Sequence, residues 1–485
     1  PPPGRPRRGG GGPPAPPRGG LRPRPLADDE PGDDRAGARA RLLDYYQHSA
    51  IAADRWLARW SPPAASARVE KSATAREFAN EIAALEWMRL ERENLLACLD
   101  DIADADRARM VTFTGLLAGL LDSDGPWPLA RQLHRRAVTA ARQLGDRLAE
   151  ADALNNLGAV HWRAGDYTAA VDRFEAALGL YRQLGNRLGE ANVLNNLGNV
   201  HEATGDYAVA ADLHRQALTR YHQLGNLLGE ANALNNLGNV HEETGDYLEA
   251  ADLHRRALTL YHQLGNRLGK ANALNNLGIV RTRTGLHAEA VDLHRQALAL
   301  YHQLGNRLGE ANALNNLGIV RTRTGLHAEA VDLHRQALAL YHQLGNRLGE
   351  ANALNNLGIV RTRTGLHAEA VDLHRQALAL FLQLGNKRGA AEVLVDIGKL
   401  LLGTGALGVA LRMFTDALGV AREIGSQLGQ ARALEGLARC RVGLGESDDA
   451  AELREAIDIY QRIGAPEAVT AAAYLAALES RPSPA

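Results

Sequence analysis

The sequence predicts an all-α protein, an α-solenoid of tandem helix-turn-helix units, and three observations predict it. A string of about 40 residues recurs along most of the chain. Hydrophobic residues make up 45% of it and aromatics only 5%, an Ala- and Leu-rich balance that favours closely packed helices over sheets. Apolar residues fall three and four apart, the spacing of a helix face. At 485 residues, several domains or one extended array is the expectation.

Residues 1–40 are rich in Pro, Gly and Arg and bury too little apolar surface to offset ordering entropy, so they are expected to be a disordered tail. Arg5, Arg7, Arg8, Arg18, Arg22 and Arg24 make it basic. Without interleaved aromatics it reads as a solvated linker rather than a nucleic-acid arm. The opening residues lack the apolar core of a secretion signal, and a first residue other than Met is expected of a fragment.

Residues 41–110 are expected to form a helical linker. Leu42, Leu43, Tyr46 and Ala50 share one stripe, Ser61-Pro62-Pro63 breaks it, and Phe78, Ile82, Leu85 and Met88 form a second. Arg92 interrupts that second stripe, and Leu95 and Leu99 resume it.

Residues 111–470 hold about nine units, the outer ones divergent. The block from Ala271 to Glu310 recurs letter for letter from Ala311 to Glu350, so several units present nearly the same surface. A unit reads as a first helix from Leu188 to Thr204, a Gly205-Asp206 break, and a second helix from Tyr207 to Leu224. Residues 466–480 read as a final helix opened by Pro466, with Tyr474 and Leu475 closing the last apolar face.

Leu194, Leu197, Gly198, His201, Gly205, Tyr207, Ala210, His214 and Ala217 fall where the tetratricopeptide repeat (TPR) family places its packing residues. The unit resembles the longer repeats of kinesin light chains and of spindle-orientation scaffolds, which carry similar NLGN and LGN strings. The resemblance implies a right-handed superhelix whose first helices line a concave groove for protein or peptide. The segments Leu42–Leu57 and Ala84–Leu99 also resemble the linker before TPR arrays in actinobacterial regulators of the AfsR type. That implies an alternative: the partner-binding half of a nucleotide-switched (NB-ARC) transcriptional regulator. No phosphate loop accompanies it. Gly269-Lys270 is followed by Ala271, and Gly398-Lys399 by Leu400, where Ser or Thr is needed.

On a helical wheel the Asn residues of each first helix fall in an arc about 100° wide, opposite the Leu stripe. They are Asn192, Asn195 and Asn199, then Asn232, Asn235 and Asn239, then Asn272 and Asn275, Asn312 and Asn315, and Asn352 and Asn355. Asn is a poor helix former, so such a ladder implies a compensating interaction. The expectation is a groove that bonds the main chain of an extended peptide, with at least one Asn per unit, Asn196 and its equivalents first, bonding a neighbouring helix instead. Glu202, Glu242 and Glu243 make the start of the groove acidic. Arg283, Arg323 and Arg363 make its end basic and would read acidic groups on the ligand. Arg281 falls on the packing side and is expected either to snorkel or to pair with an acid such as Glu289.

A net charge of −1 gives no field to draw in nucleic acid, and no run approaches the apolar length of a membrane span. Cys98 and Cys440, far apart, exclude a disulfide framework and fit a reducing, cytoplasmic setting. His214 and His222 lie about 12 Å apart along a helix, and His287 and His294 about 10 Å, too far to share an ion. No nucleophile with a base stands out. The expectation is a scaffold with no cofactor and no catalysis, a protein or linear peptide as partner, no nucleic acid or membrane, and self-association left open.

Overall fold

The computed structural model describes residues 32–56, 75–102, 106–124, 127–445, 450–463, 465 and 467–480, all helix or short connection. Residues 1–31 of the expected tail and the Ser61-Pro62-Pro63 break lie outside them. Helix α1 (Gly32–Asp54) begins directly after Pro31, inside the stretch expected as tail. Once the prolines end, Ala and Arg favour helix.

Helices α2 (Glu81–Leu90), α3 (Arg92–Asp101), α4 (Arg107–Leu116), α5 (Ala118–Asp124) and α6 (Trp127–Leu144) follow. Tyr46, Ala50, Met88, Leu95 and Leu99 are buried, as their stripes predict, and they share one core with Leu133 and Val160. The linker is therefore packed onto the array rather than strung before it. Two expectations need correction. Leu42 is exposed. Phe78 precedes α2 instead of belonging to it, because Asn80 caps that helix, and its ring packs on Trp87 at 5.3 Å.

Eight antiparallel pairs follow: α7 (Arg147–Arg163) with α8 (Tyr167–Leu184), α9 (Arg187–Thr204) with α10 (Tyr207–Gln223), α11 (Leu227–Thr244) with α12 (Tyr247–Gln263), and α13 (Arg267–Arg283) with α14 (His287–Gln303). Then come α15 (Arg307–Arg323) with α16 (His327–Gln343), α17 (Arg347–Arg363) with α18 (His367–Gln383), α19 (Lys387–Gly403) with α20 (Leu407–Glu423), and α21 (Gln427–Leu444) with α22 (Ala451–Arg462). The last helix, α23 (Glu467–Glu479), sets Tyr474 and Leu475 against the terminal core.

The local sequence explains the punctuation. An Asn before each first helix from α9 to α19 accepts a hydrogen bond from the Gly amide three residues on, as Asn306 does from Gly309 at 2.8 Å. Asp246 caps α12 in the same way, but Leu286, Leu326 and Leu366 leave α14, α16 and α18 without a side-chain cap. Within a pair, Leu317, Val320 and Ala337 are buried, and each Leu contributes about 1.5–3 kcal/mol of transfer free energy.

Candidate functional site

The first helices form the inner wall of the curved array, and each carries four polar positions that the structure sends in different directions. In α15, Asn315 points between the helices of its own unit, where its Oδ1 accepts from His334 Nδ1 at 2.9 Å. The same bond joins Asn195 to His214, Asn235 to His254, Asn275 to His294 and Asn355 to His374. Each of these His rings lies flat on a glycine of the facing helix. A Cβ on Gly318 would stand 2.6 Å from the His334 ring, so only glycine fits. Burial pushes His214 down to about 3 and His254, His294 and His334 to about 4, and lowers His374, so these imidazoles stay neutral. An amide oxygen can only accept, so Nδ1 carries the proton.

This overturns part of the expected ladder. Asn195 is 0% and Asn275 7% exposed, and Asn235 and Asn315 are equally hidden. These four cannot meet a ligand, because their acceptors face the core. Asn355 sits at the edge, reaching the cavity and giving Nδ2 to Asp396 at 2.9 Å.

The next residue ties units together, as expected for Asn196 and its equivalents. Asn196 donates to Asn155 of the preceding unit at 3.0 Å, and Asn236, Asn276, Asn316 and Asn356 repeat the bond. Asn236 also donates to Asn199, and Asn276 to Asn239, both at 2.9 Å. Asn199 and Asn239, half-buried, thus spend their acceptors on the unit interface.

The first position of the ladder is different. Tyr221, Tyr301 and Tyr341 donate their hydroxyls to Asn192, Asn272 and Asn312 at 2.8, 2.8 and 2.7 Å, and Tyr261 does so to Asn232. Burial pushes these tyrosines up, so they remain donors. Asn192 is buried, but Asn272, Asn312 and Asn352 are exposed. With its oxygen engaged, each exposed amide of Asn272 and Asn312 offers mainly its NH2. Phe381 replaces Tyr opposite Asn352, which keeps its acceptor.

The arginines also divide. Arg281, Arg321 and Arg361 pair with Glu289, Glu329 and Glu369 at 2.9 Å on the packing side, as expected of Arg281. Arg283 is held by Glu242 across the unit boundary at 2.9 Å, which removes it from the set of free groove cations. Among the described residues Arg323 and Arg363 hydrogen-bond to the backbone carbonyls of Thr282 and Thr322, at 3.1 and 3.4 Å, and stand in no ion pair. Burial and then the neighbouring Arg283 and Arg432 lower the Arg323 pKa, outweighing the opposing pull of Glu467.

Asn272, Asn312, Arg283, Arg323 and Arg363 line a cavity of about 3340 Å³, because the array curves until distant units meet. Glu202 is pushed up to about 8 by burial and by Glu243 and Glu242. Glu242 is pushed up to about 7 by burial, against Arg283. Burial thus favours the neutral form of Glu202, while Glu242 and Glu243 are engaged by Arg283 and Arg388. Sequence reasoning missed Arg388, Arg432 and Lys399, which also line the cavity. The signal was there: they replace Leu348, Asn352 and Ile359 of earlier units, and departures from a near-exact repeat mark places under separate demand. Among the described residues no three His, Cys, Asp or Glu gather as metal ligands would, and no helix is long and apolar enough to cross a membrane.

The family model described as tetratricopeptide repeat matches in seven overlapping windows, residues 108–183, 150–223, 189–263, 229–303, 269–343, 309–383 and 349–423. No curated protein matches the chain. Among solved structures, a Rap protein complexed with Competence and Sporulation Factor is 16% identical, covers 76% of this chain and 99% of its own, and has a TM-score of 0.56. The Rap conjugation gene regulator of the plasmid pLS20, in complex with the Phr* peptide, is 15% identical over 70% and 94%, with a TM-score of 0.53. Aspartyl phosphate phosphatase F from Bacillus subtilis is 12% identical over 80% and 95%, with a TM-score of 0.50. These likenesses show a shared fold.

Proposed function

The chain belongs to the tetratricopeptide repeat family, and from that premise we propose that it is a binding scaffold that captures a protein or peptide segment inside its superhelical cavity. It works by equilibrium capture, without a catalytic step. One observation carries the reading: the inner wall offers donors whose matching acceptors are already used. Asn272 and Asn312 present NH2 groups, and Arg323 and Arg363 present guanidinium groups that, among the described residues, hydrogen-bond to backbone carbonyls and stand in no ion pair. Such a wall suits an extended segment through its main-chain carbonyls and its Asp, Glu or phosphorylated side chains. Two neighbours of the same fold were solved with a factor and a peptide bound, which supports the mode without naming the ligand. The buried, unpaired Cys98 and Cys440 suit a reducing, cytoplasmic setting.

The test uses a fluorescein-labelled Glu-rich peptide of about ten residues and a Lys-rich control, followed by anisotropy. The acidic peptide binds, binding weakens as salt rises, and Arg323→Glu with Arg363→Glu abolishes it while circular dichroism is unchanged. Undiminished binding by the double variant makes the arginines mere surface and removes the reading.

A second reading, the partner-binding half of a nucleotide-switched regulator, is favoured by the linker helices packing into one core with the array. An in-frame coding sequence upstream without a nucleotide-binding domain would remove it.

A further inference from the structure

Neighbouring units along the array share wide apolar contacts. The contact that closes the cavity is of another kind. Arg388 stands at the start of α19, where Leu308 and Leu348 stand in the two preceding units. Its Nη2 meets Glu243 Oε2, near the end of α11, at 2.6 Å. Its Nη1 donates to the Tyr207 hydroxyl, at the start of α10, at 3.1 Å. These partners lie 145 and 181 residues away in sequence. Beside them, a Cβ on Gly245 would stand 2.3 Å from the carbonyl oxygen of Ile463, which follows α22. The end of the array has come round to touch its early units, edge to edge.

This seam differs in strength from the rest of the wall. The Arg388 side chain is 51% exposed and that of Glu243 29%, and half-exposed ion pairs are weak and screened by salt. Gly245 adds a close backbone contact with no side chain to interlock. The wall elsewhere is helix on helix, with Leu, Val and Ala buried at every joint. A strain applied to the ring therefore opens it at this seam first.

We propose that Arg388, Glu243, Tyr207 and Gly245 form a latch that holds the superhelix closed, and that release of this latch admits a chain segment to the cavity. The proposal rests on the cavity being the capture site, but its test needs no ligand.

Two readouts test it on the full chain. Spin labels go at Leu248→Cys, at the start of α12 just after Gly245, and at Leu382→Cys, at the end of α18 shortly before Arg388, on residues 85% and 65% exposed, while Cys98 and Cys440 are buried. The native protein gives one narrow, short distance. Arg388→Glu gives a longer and broader distribution, and adding Glu243→Arg to it restores the short one. High salt shifts the native protein towards the Arg388→Glu pattern. For access, Asn312→Cys places a thiol in the cavity. Arg388→Glu speeds its reaction with a polyethylene-glycol maleimide about tenfold, and leaves the rate with N-ethylmaleimide within about twofold.

Gly245→Ala supplies a charge-free arm. Gly245 and Gly205 have φ of 90° and 88° at equivalent turns, so an alanine strains both alike. Only Gly245 faces the seam, since nothing lies within 4 Å of a Cβ at Gly205. Gly245→Ala opens the ring in both readouts and Gly205→Ala does not. Unchanged distances and unchanged bulky-reagent rates in Arg388→Glu overturn the latch. A latch that opens as described, in a protein that ignores acidic peptides, leaves the latch standing and removes the proposed ligand chemistry.

Discussion

Asn315 and His334 show how much one residue's direction decides. Asn315→Ala removes the acceptor for His334 Nδ1 and for Asn356 Nδ2 together. Leaving buried donors unmade costs about 1–3 kcal/mol, so this variant unfolds at lower denaturant even though Ala is the better helix former. The same pair sets a pH response. The folded pKa of His334, about 4, lies below its unfolded value of 6.5. Its contribution to stability is therefore whole above pH 6.5 and is lost as pH falls towards 4, where the unfolded state takes up the proton first. His214, His254 and His294 act in the same sense. The unit of α19 and α20 carries Phe414 and Val395 at these two places and packs Phe414 on Gly398. His334→Phe with Asn315→Val, copied from that unit, should flatten the loss of stability between pH 6.5 and 4 in urea titrations. An unchanged pH slope would show that the acid response arises elsewhere.

At the scale of the element, the second helices differ in how they begin. Asp246 caps α12 through the Glu249 amide, and His241 Nδ1 lies 3.3 Å from the same aspartate. In the next three units the cap becomes Leu286, Leu326 and Leu366, and the histidine becomes an arginine paired with a glutamate one turn further on. Leu326 is 47% exposed, so it gains little from burial in return for the lost cap. Leu326→Asp should restore the cap and stabilise the protein by about 0.5–2 kcal/mol, read as a higher melting temperature. A fall in stability instead would show that the leucine packs better than its exposure implies.

Over the whole molecule, stability is a sum of units and the interfaces between them. The unit of α15 and α16 has near-identical neighbours on both sides, and each of its two interfaces carries an Asn–Asn bond worth about 0.5–1.5 kcal/mol beside its apolar contact. Helix α23 packs mainly on α22 and has no further unit beyond it among the described residues. Amide exchange should be slowest between Asn275 and Ala370 and fastest in α23. Equal protection along the chain would show that the array unfolds as one cooperative body rather than by nearest-neighbour coupling.

The helices were legible because their signals are local. Asn306 before α15, Gly325 after it and the Leu spacing within it read the same in isolation as in the fold. A repeat also guarantees that what holds for one unit holds for the next. The ladder was legible only in part. A helical wheel gives each Asn an angle about its own axis, but a first helix faces its partner, two neighbouring units and the cavity at once. Those four surroundings share the arc about 100° wide that the wheel treated as one face. Asn315 and Asn312 differ by three residues on that arc, and one meets a buried histidine while the other meets the cavity. Arg283 and Arg323 occupy the same position in successive units, and only the presence of Glu242 beside the first separates them. The sequence by itself determined the all-α repeat, its caps and its packing residues, because these depend on contacts within a few turns of chain. Only the tertiary structure decided which amides stay free and that Arg388 reaches Glu243, because curvature is the sum of small rotations over many units and no single unit encodes where that sum brings two edges together.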